Sequence, residues 1–356
     1  MPTSPLRSLK DMLRSRTDTP HQGHDLVVQG HDLVVIGASE GGIAAVSALV
    51  AELPADLAAA VFVVVHLRAG FKSSFPEILA SRGKLPARHA IHGEAIVPGR
   101  IYVAPPDTHL MLRPGYVQVL RGPKENGFRP SVDALFRTAS IAYGSRVVGV
   151  VLTGNLDCGT AGLLSIKARG GVALVQDPKE AAVPDMPQSA IAHVAVDEVA
   201  SLTALPDLIR RFVSEPAAAI PSALSPEIPK LEGEKLGLPA DIVCPVCQGK
   251  LTEVTLGGFR SFRCHVGHSF SLESVAAEQA EEVERALWAS VRALEESATL
   301  AGQLAKSTIG DTKLRFLEKQ ETQSDQAAVI RRLLLTGEML TPLDAASIAP
   351  RSDPRS

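Results

Sequence analysis

Four runs of aliphatic, mostly β-branched residues constrain this chain more than anything else in it. Leu33-Val34-Val35-Ile36, Val61-Phe62-Val63-Val64-Val65, Val147 to Leu152 and Val172-Ala173-Leu174-Val175 carry no polar residue at any position. A strand with one wet face alternates apolar and polar residues, whereas a strand covered on both faces does not. Each run ends in a small-residue or polar turn, and helical patterns lie between the runs. The expected class is therefore α/β, a doubly wound, mostly parallel sheet with helices on both faces. Gly99 to Ala104, Leu110 to Leu112 and Tyr116 to Leu120 are short and bounded by Pro and Gly, and they read as an antiparallel excursion or edge hairpin.

Periodicity divides the 356 residues further. Residues 1–30 are polar and Pro/Ser/Thr-containing and are expected to be disordered. They include Gly23 to Val28, a copy of Gly30 to Val35 that is expected to lie outside the sheet or along its edge. Residues 31–214 form the α/β domain, and 215–240 are a Pro-rich linker. A small Cys/His module spans 241–271. Two long Ala/Glu/Leu-rich patterns over 272–338 predict a C-terminal helical hairpin, and 339–356 form a disordered tail. With 36 basic and 39 acidic residues the net charge is −3, which gives no general pull toward nucleic acid. No stretch reaches the roughly 20 apolar residues of a membrane span, and the N-terminus does not read as a secretory signal. The expected location is the cytoplasm, without membrane insertion.

The first strand runs straight into chemistry. Gly37-Ala38-Ser39-Glu40-Gly41 fits a G-x-S-x-G turn between a strand and a helix, which exposes a serine hydroxyl beside unpaired helix N–H groups. Small residues in such a turn serve close packing or phosphate binding about as often. His66 closes the next strand, where a lone histidine is more commonly structural. Position alters that weighting, because in an open parallel sheet functional groups gather beyond the carboxyl ends of strands where the winding reverses. Ser39, His66 and Asp157 each follow such an end. A serine needs an imidazole to take its proton, and a carboxylate on the other ring nitrogen fixes the tautomer. Glu40 and Gly154-Asn155 offer backbone N–H groups for an oxyanion, while Arg68, Arg129 and Met186 are candidates for the groove border. His89, His92 and His109 read as ordinary surface or turn histidines. The lone acid has a plainer reading too, as a cap for the helix beginning near Gly159.

The order Ser, His, Asp departs from that of α/β-hydrolases. The α/β domain instead resembles the catalytic domain of the chemotaxis protein-glutamate methylesterases (CheB type). The resemblance rests on Ile36 to Gly42, Val65-His66 with Gly70-Phe71 and Ser74-Phe75, and Tyr102 to Pro106 with His109-Leu110. It continues through Arg129 to Asp133, Leu152-Thr153-Gly154 with Gly159 to Gly162, and Met186-Pro187. It implies that Ser39 and His66 belong to a triad that hydrolyses glutamyl methyl esters of methyl-accepting chemoreceptors and releases methanol, with glutamine deamidation as a second activity and no catalytic cofactor. A methyltransferase or sensor kinase is a further implied partner. In that family the acid usually directly precedes the glycine after Leu-Thr-Gly. Here Cys158 holds that place, and Asp157, one residue earlier, is the nearest carboxylate and the expected acid. Family members commonly carry a receiver domain before the catalytic one, and the roughly 30 residues ahead of the first strand in this chain leave no room for it.

Cys244-x2-Cys247, sixteen residues, then Cys264-x3-His268 has spacing suited to a closed tetrahedral zinc site of a ribbon type. His265 is a possible substitute for His268, which is preferred because Gly267 lets the chain turn back. With four protein ligands the metal would be structural, and similar modules look familiar as C-terminal extensions of CheB-like proteins. The plainer reading is three reduced cysteines in a core. Two further readings of the whole chain remain open at this point: a non-catalytic regulatory binder with a degraded acid position, and a dinucleotide-binding domain.

Overall fold

The computed structural model describes residues 30–66, 73–217, 237–256 and 258–336. The first copy of the Gly-His-Asp-Leu-Val-Val repeat, Arg68, Gly70-Phe71, most of the linker and the tail lie outside these residues.

Seven parallel strands form the central sheet: β1 Leu33–Ala38, β2 Ala60–Val65, β3 Ala87–His89, β4 Ile101–Val103, β7 Val147–Val151, β8 Val172–Gln176 and β9 Glu198–Ala200. Their order is β3-β4-β2-β1-β7-β8-β9. β1, β2 and β7 are buried along their whole length, as runs without alternation require. Helices α1 Gly42–Glu52, α2 Phe75–Arg82 and α6 Leu205–Ser214 cover one face, with Val46, Leu49, Leu79 and Ile209 in that core. Helices α3 Val132–Tyr143, α4 Thr160–Ala168 and α5 Asp185–His193 cover the other, around Phe62, Phe136, Ile166 and Met186. The winding reverses between β1, which leads to β2 on one side, and β7 on the other.

Two sequence expectations change here. Ile101–Val103 is not part of an antiparallel excursion but a sheet strand, parallel to both β2 and β3. Only β5 His109–Arg113 and β6 Tyr116–Leu120 make the hairpin. Strands of three residues, β3 and β9 among them, are too short to show a period, which is why the sequence concealed them.

The C-terminal part carries its own antiparallel sheet, β10 Leu238–Val243, β11 Lys250–Leu256, β12 Phe259–Cys264 and β13 Ser269–Ser271 in that order. Its core is Cys244, Leu251, Phe262, Cys264, Phe270 and Val275. β10 thus starts inside the stretch expected to be linker. Two helices follow, α7 Leu272–Ser307 and α8 Gly310–Thr336, packed along each other as a hairpin. No described helix is long and apolar enough to cross a membrane.

Candidate active site

Pairing in the sheet aligns the carboxyl ends that matter. Ala38 pairs with Val65 and Gly37 with Val151, so Ser39, His66 and the loop after β7 leave the sheet at one level. Backbone bonds extend that alignment: His66 N–H donates to Ala38 O at 3.2 Å and Ser39 N–H to Thr153 O at 2.9 Å. Gly42 N–H then donates to Ser39 O at 2.9 Å, closing the turn into α1. Gly41 has φ of +75°, and a side chain there would meet Ala182 and Thr153. The turn requires glycine at that position.

Within this frame His66 Nδ1 lies 3.1 Å from Ser39 Oγ. Both line a pocket of about 620 Å³ that Glu40, Ile43, Ile78 and Arg82 also border. To accept the serine proton at Nδ1, the ring must carry its own proton on Nε2. That atom is buried with no partner among the described residues. Burial alone drives the His66 pKa down to about 3, with no charged group offsetting it, so the imidazole is neutral. Phe128 stacks flat on it, ring centroids 3.7 Å apart and planes within 7°.

Asp157 is not brought to His66, contrary to the sequence expectation. Its carboxylate accepts from Ser271 Oγ at 2.7 Å and Ser274 Oγ at 3.3 Å. Ser271 is the N-cap of α7 and accepts in turn from Ser274 N–H, so the acid serves at the junction with the C-terminal module, near the positive end of a helix. The physical reason is direction within the loop. Leu156 adopts a left-handed φ of +60°, and the next two side chains point elsewhere. Burial pushes the Asp157 pKa up to about 7 against the lowering effect of Ser271. Cys158, in the place of the family's usual acid, is buried 3.4 Å from Ser131 Oγ. Burial and then the Asp133 charge push its thiol far above the ordinary value.

Other candidates also move. Gly154 N–H is committed to Val183 O at 3.0 Å, so of the proposed oxyanion donors it is not available. Arg129 bonds Asp107 and Gly122 O rather than the pocket, and Met186 is fully buried against Gly154. Among the described residues, the charged groups at the pocket are Glu40, which accepts from Asn155 Nδ2 at 2.5 Å, and Arg82. His109 is no surface residue: it is buried, with Nε2 2.8 Å from Pro123 O, while Ser131 N–H donates to its Nδ1. His89 contacts the backbone carbonyl of Ser73, and His92 Nδ1 lies against the backbone of Val119, whose N–H donates to it. The residue that sequence reasoning missed is Phe128. Asn126-Gly127 just before it is the strongest short signal for a tight hairpin turn, and it marks the segment.

Residues 34–209 match the family described as CheB methylesterase. A solved structure, the Thermotoga maritima CheB methylesterase catalytic domain, is 32% identical with a TM-score of 0.50, and the match covers 98% of that chain and 51% of this one. The chain belongs to the CheB methylesterase family. A protein-glutamate methylesterase/protein-glutamine glutaminase of Paraburkholderia xenovorans (strain LB400) is 42% identical over 183 residues, 50% of this chain and 49% of the relative. One of Geobacter metallireducens is 40% identical over 175 residues, 48% of each. The chain spans about half the length of the curated CheB relatives it matches. CheB membership displaces the dinucleotide-binding alternative.

The Cys/His module brings its four expected ligands together. One ligand atom from each of Cys244, Cys247, Cys264 and His268 lies within 4.8 Å of the others. Cys247 Sγ is 3.6 Å from Cys264 Sγ, and His268 Nδ1 is 3.7 Å from Cys244 Sγ and 3.4 Å from Cys264 Sγ. Zn–S bonds of about 2.3 Å and Zn–N bonds of about 2.0 Å arranged tetrahedrally give edges of roughly 3.5 to 3.8 Å. The donor set fits that ion. His265 instead lies against Gly249.

Proposed function

We propose that this chain is a protein-glutamate methylesterase working as a serine hydrolase, with glutaminyl deamidation as its second reaction. The observation that carries it is the 3.1 Å contact of Ser39 Oγ with His66 Nδ1 inside the pocket. Ser39 Oγ attacks the ester carbonyl while His66 Nδ1 takes its proton. The C–O bond to the methoxy group breaks and the same proton leaves with methanol. Water then attacks the glutamyl-serine ester, passes a proton to His66, and frees the glutamate and Ser39. Glu40 N–H, at the approach to α1, is the donor offered to the oxyanion. The substrates in this reading are methylated chemoreceptors or similar signalling proteins in the cytoplasm, a location supported by four cysteines without a disulfide. Cys244, Cys247, Cys264 and His268 would hold a zinc ion whose role is structural, since four protein ligands close its coordination.

Methanol release from a methylated receptor fragment tests the reading: Ser39→Ala should lower the rate by about 10³-fold or more. An unchanged rate would sink it. The engagement of Asp157 by Ser271 favours a second reading, a catalytically impaired regulator that binds the same helices. Binding of the fragment with no methanol release from the wild-type protein would select that reading.

A further inference from the structure

Phe128 owes its place to a turn that the C-terminal module grips. Asn126 and Gly127 both have positive φ, 52° and 77°, as a type I′ turn demands. Glu125 and Phe128 exchange backbone bonds of 3.2 and 3.0 Å across it. From the other side, Asn126 N–H donates to Ser269 O at 2.7 Å, and Ser271 N–H donates to Asn126 Oδ1 at 2.9 Å. Asn126 Nδ2 donates to Asp133 Oδ2 at 2.7 Å, so the buried asparagine is held on three sides. Ser269 directly follows the ligand His268, and Ser271 caps α7. Arg137 secures the base of the turn through two bonds to Glu125, at 2.7 and 3.0 Å.

We propose that Phe128 is a positioning residue for His66, and that the Cys/His module is part of the active site because it holds Phe128 there. The proposal rests on the reading of Ser39 and His66 as nucleophile and base. As Nδ1 takes the serine proton the ring becomes a cation, and no carboxylate among the described residues bonds its Nε2. Among the described residues two groups then fix the imidazole: Ser39 at Nδ1, and Phe128 across the ring face. An aromatic face attracts a cation stacked on it, which orients the ring as it takes the proton, while the cover Phe128 gives excludes water and holds the resting imidazole neutral. The pocket beside Ser39 remains open with the module docked, which argues for support of the site rather than occlusion.

The test compares the wild-type protein with Phe128→Ala, Phe128→Leu and Phe128→Tyr, by ester hydrolysis and by NMR titration of the His66 ring, assigned with His66→Gln. Phe128→Ala should lower kcat by about tenfold or more with KM within about threefold, and should shift the His66 pKa from its depressed value of about 3 toward 6.5. Tyr should restore both. Leu should restore packing but, lacking a π face, less of kcat. Removal of the metal from the wild-type protein by a chelator should move the His66 titration in the same direction, and it should add nothing in Phe128→Ala. The signal of His31, buried against Phe212 O at the far end of β1, reports that the α/β domain stays folded. An unchanged titration or an unchanged kcat in Phe128→Ala overturns the positioning role. A shift there without one on metal removal overturns the part assigned to the module. Failure of the serine-hydrolase reading would show separately, as undiminished hydrolysis by Ser39→Ala with the NMR result intact.

Discussion

Replacing Asp157 by Asn separates its place in the structure from the triad role its position suggests. Removal of a true triad acid costs roughly 10⁴-fold in kcat in serine proteases. Here the carboxylate bonds Ser271 and Ser274 instead of His66, and an asparagine oxygen can accept both bonds. Methanol release by Asp157→Asn should stay within about threefold of wild type. Stability responds in the opposite sense. The Asp157 pKa is about 7 in the fold against an ordinary value of 3.8, so the folded state holds its proton longer than the unfolded one. Stability is then lost as pH rises through that window, by about 4 kcal/mol at pH 7 and above. His66 runs the other way: with a folded pKa of about 3 against 6.5, stability is present above pH 6.5 and lost as pH falls. Between pH 3.8 and 6.5 the two slopes oppose at about 1.4 kcal/mol per pH unit each and largely cancel. Asp157→Asn leaves the His66 slope alone, so urea unfolding of the variant should show stability rising by about 2 to 4 kcal/mol across that window, while at pH 8 it exceeds wild type. A fall of several orders of magnitude in methanol release would refute this placement of Asp157, and so would an Asp157→Asn protein no more stable than wild type at pH 8.

Elemental analysis of the purified chain should find one zinc per molecule, and Cys264→Ser should release it and lower the unfolding temperature of the C-terminal module. Gly127→Ala forces a non-glycine residue to φ of 77° and into Glu278. It should destabilise by about 1 to 3 kcal/mol and lower kcat along with it, measured by chemical unfolding and methanol release. Cys158, buried and with its thiol held protonated, should resist alkylation in the native protein and react only on unfolding, as read by mass spectrometry.

The α/β class was legible because four runs without alternation can only be strands covered twice, and the seven-stranded parallel sheet has all four in it. Ser39 and His66 were legible for a related reason. Residues just past strand ends inherit the alignment of the strands, and Ala38 opposite Val65 carries the two side chains together. The clustering of Cys244, Cys247, Cys264 and His268 was found by spacing, because a short chain segment must fold back on itself to bring Cys-x2-Cys to Cys-x3-His.

Where reading failed, direction or distance decided the outcome. A carboxylate one residue from the family position points along its loop's own backbone twist, and the positive φ of Leu156 is invisible in a sequence. Arg129, a candidate for the groove border, is instead taken up by Asp107, 22 residues earlier in the chain.

The layers, the serine turn and the composition of the Cys/His cluster were already written in the residues, since each follows from local periodicity or from positions close together in the chain. What flanks the histidine was set by long-range packing. Phe128 reaches His66 from 62 residues further along the chain, and Ser271 claims Asp157 from 114 residues away. The first pairing depends on where a loop of the α/β domain returns and the second on how two separate cores dock, and no local pattern of residues encodes either.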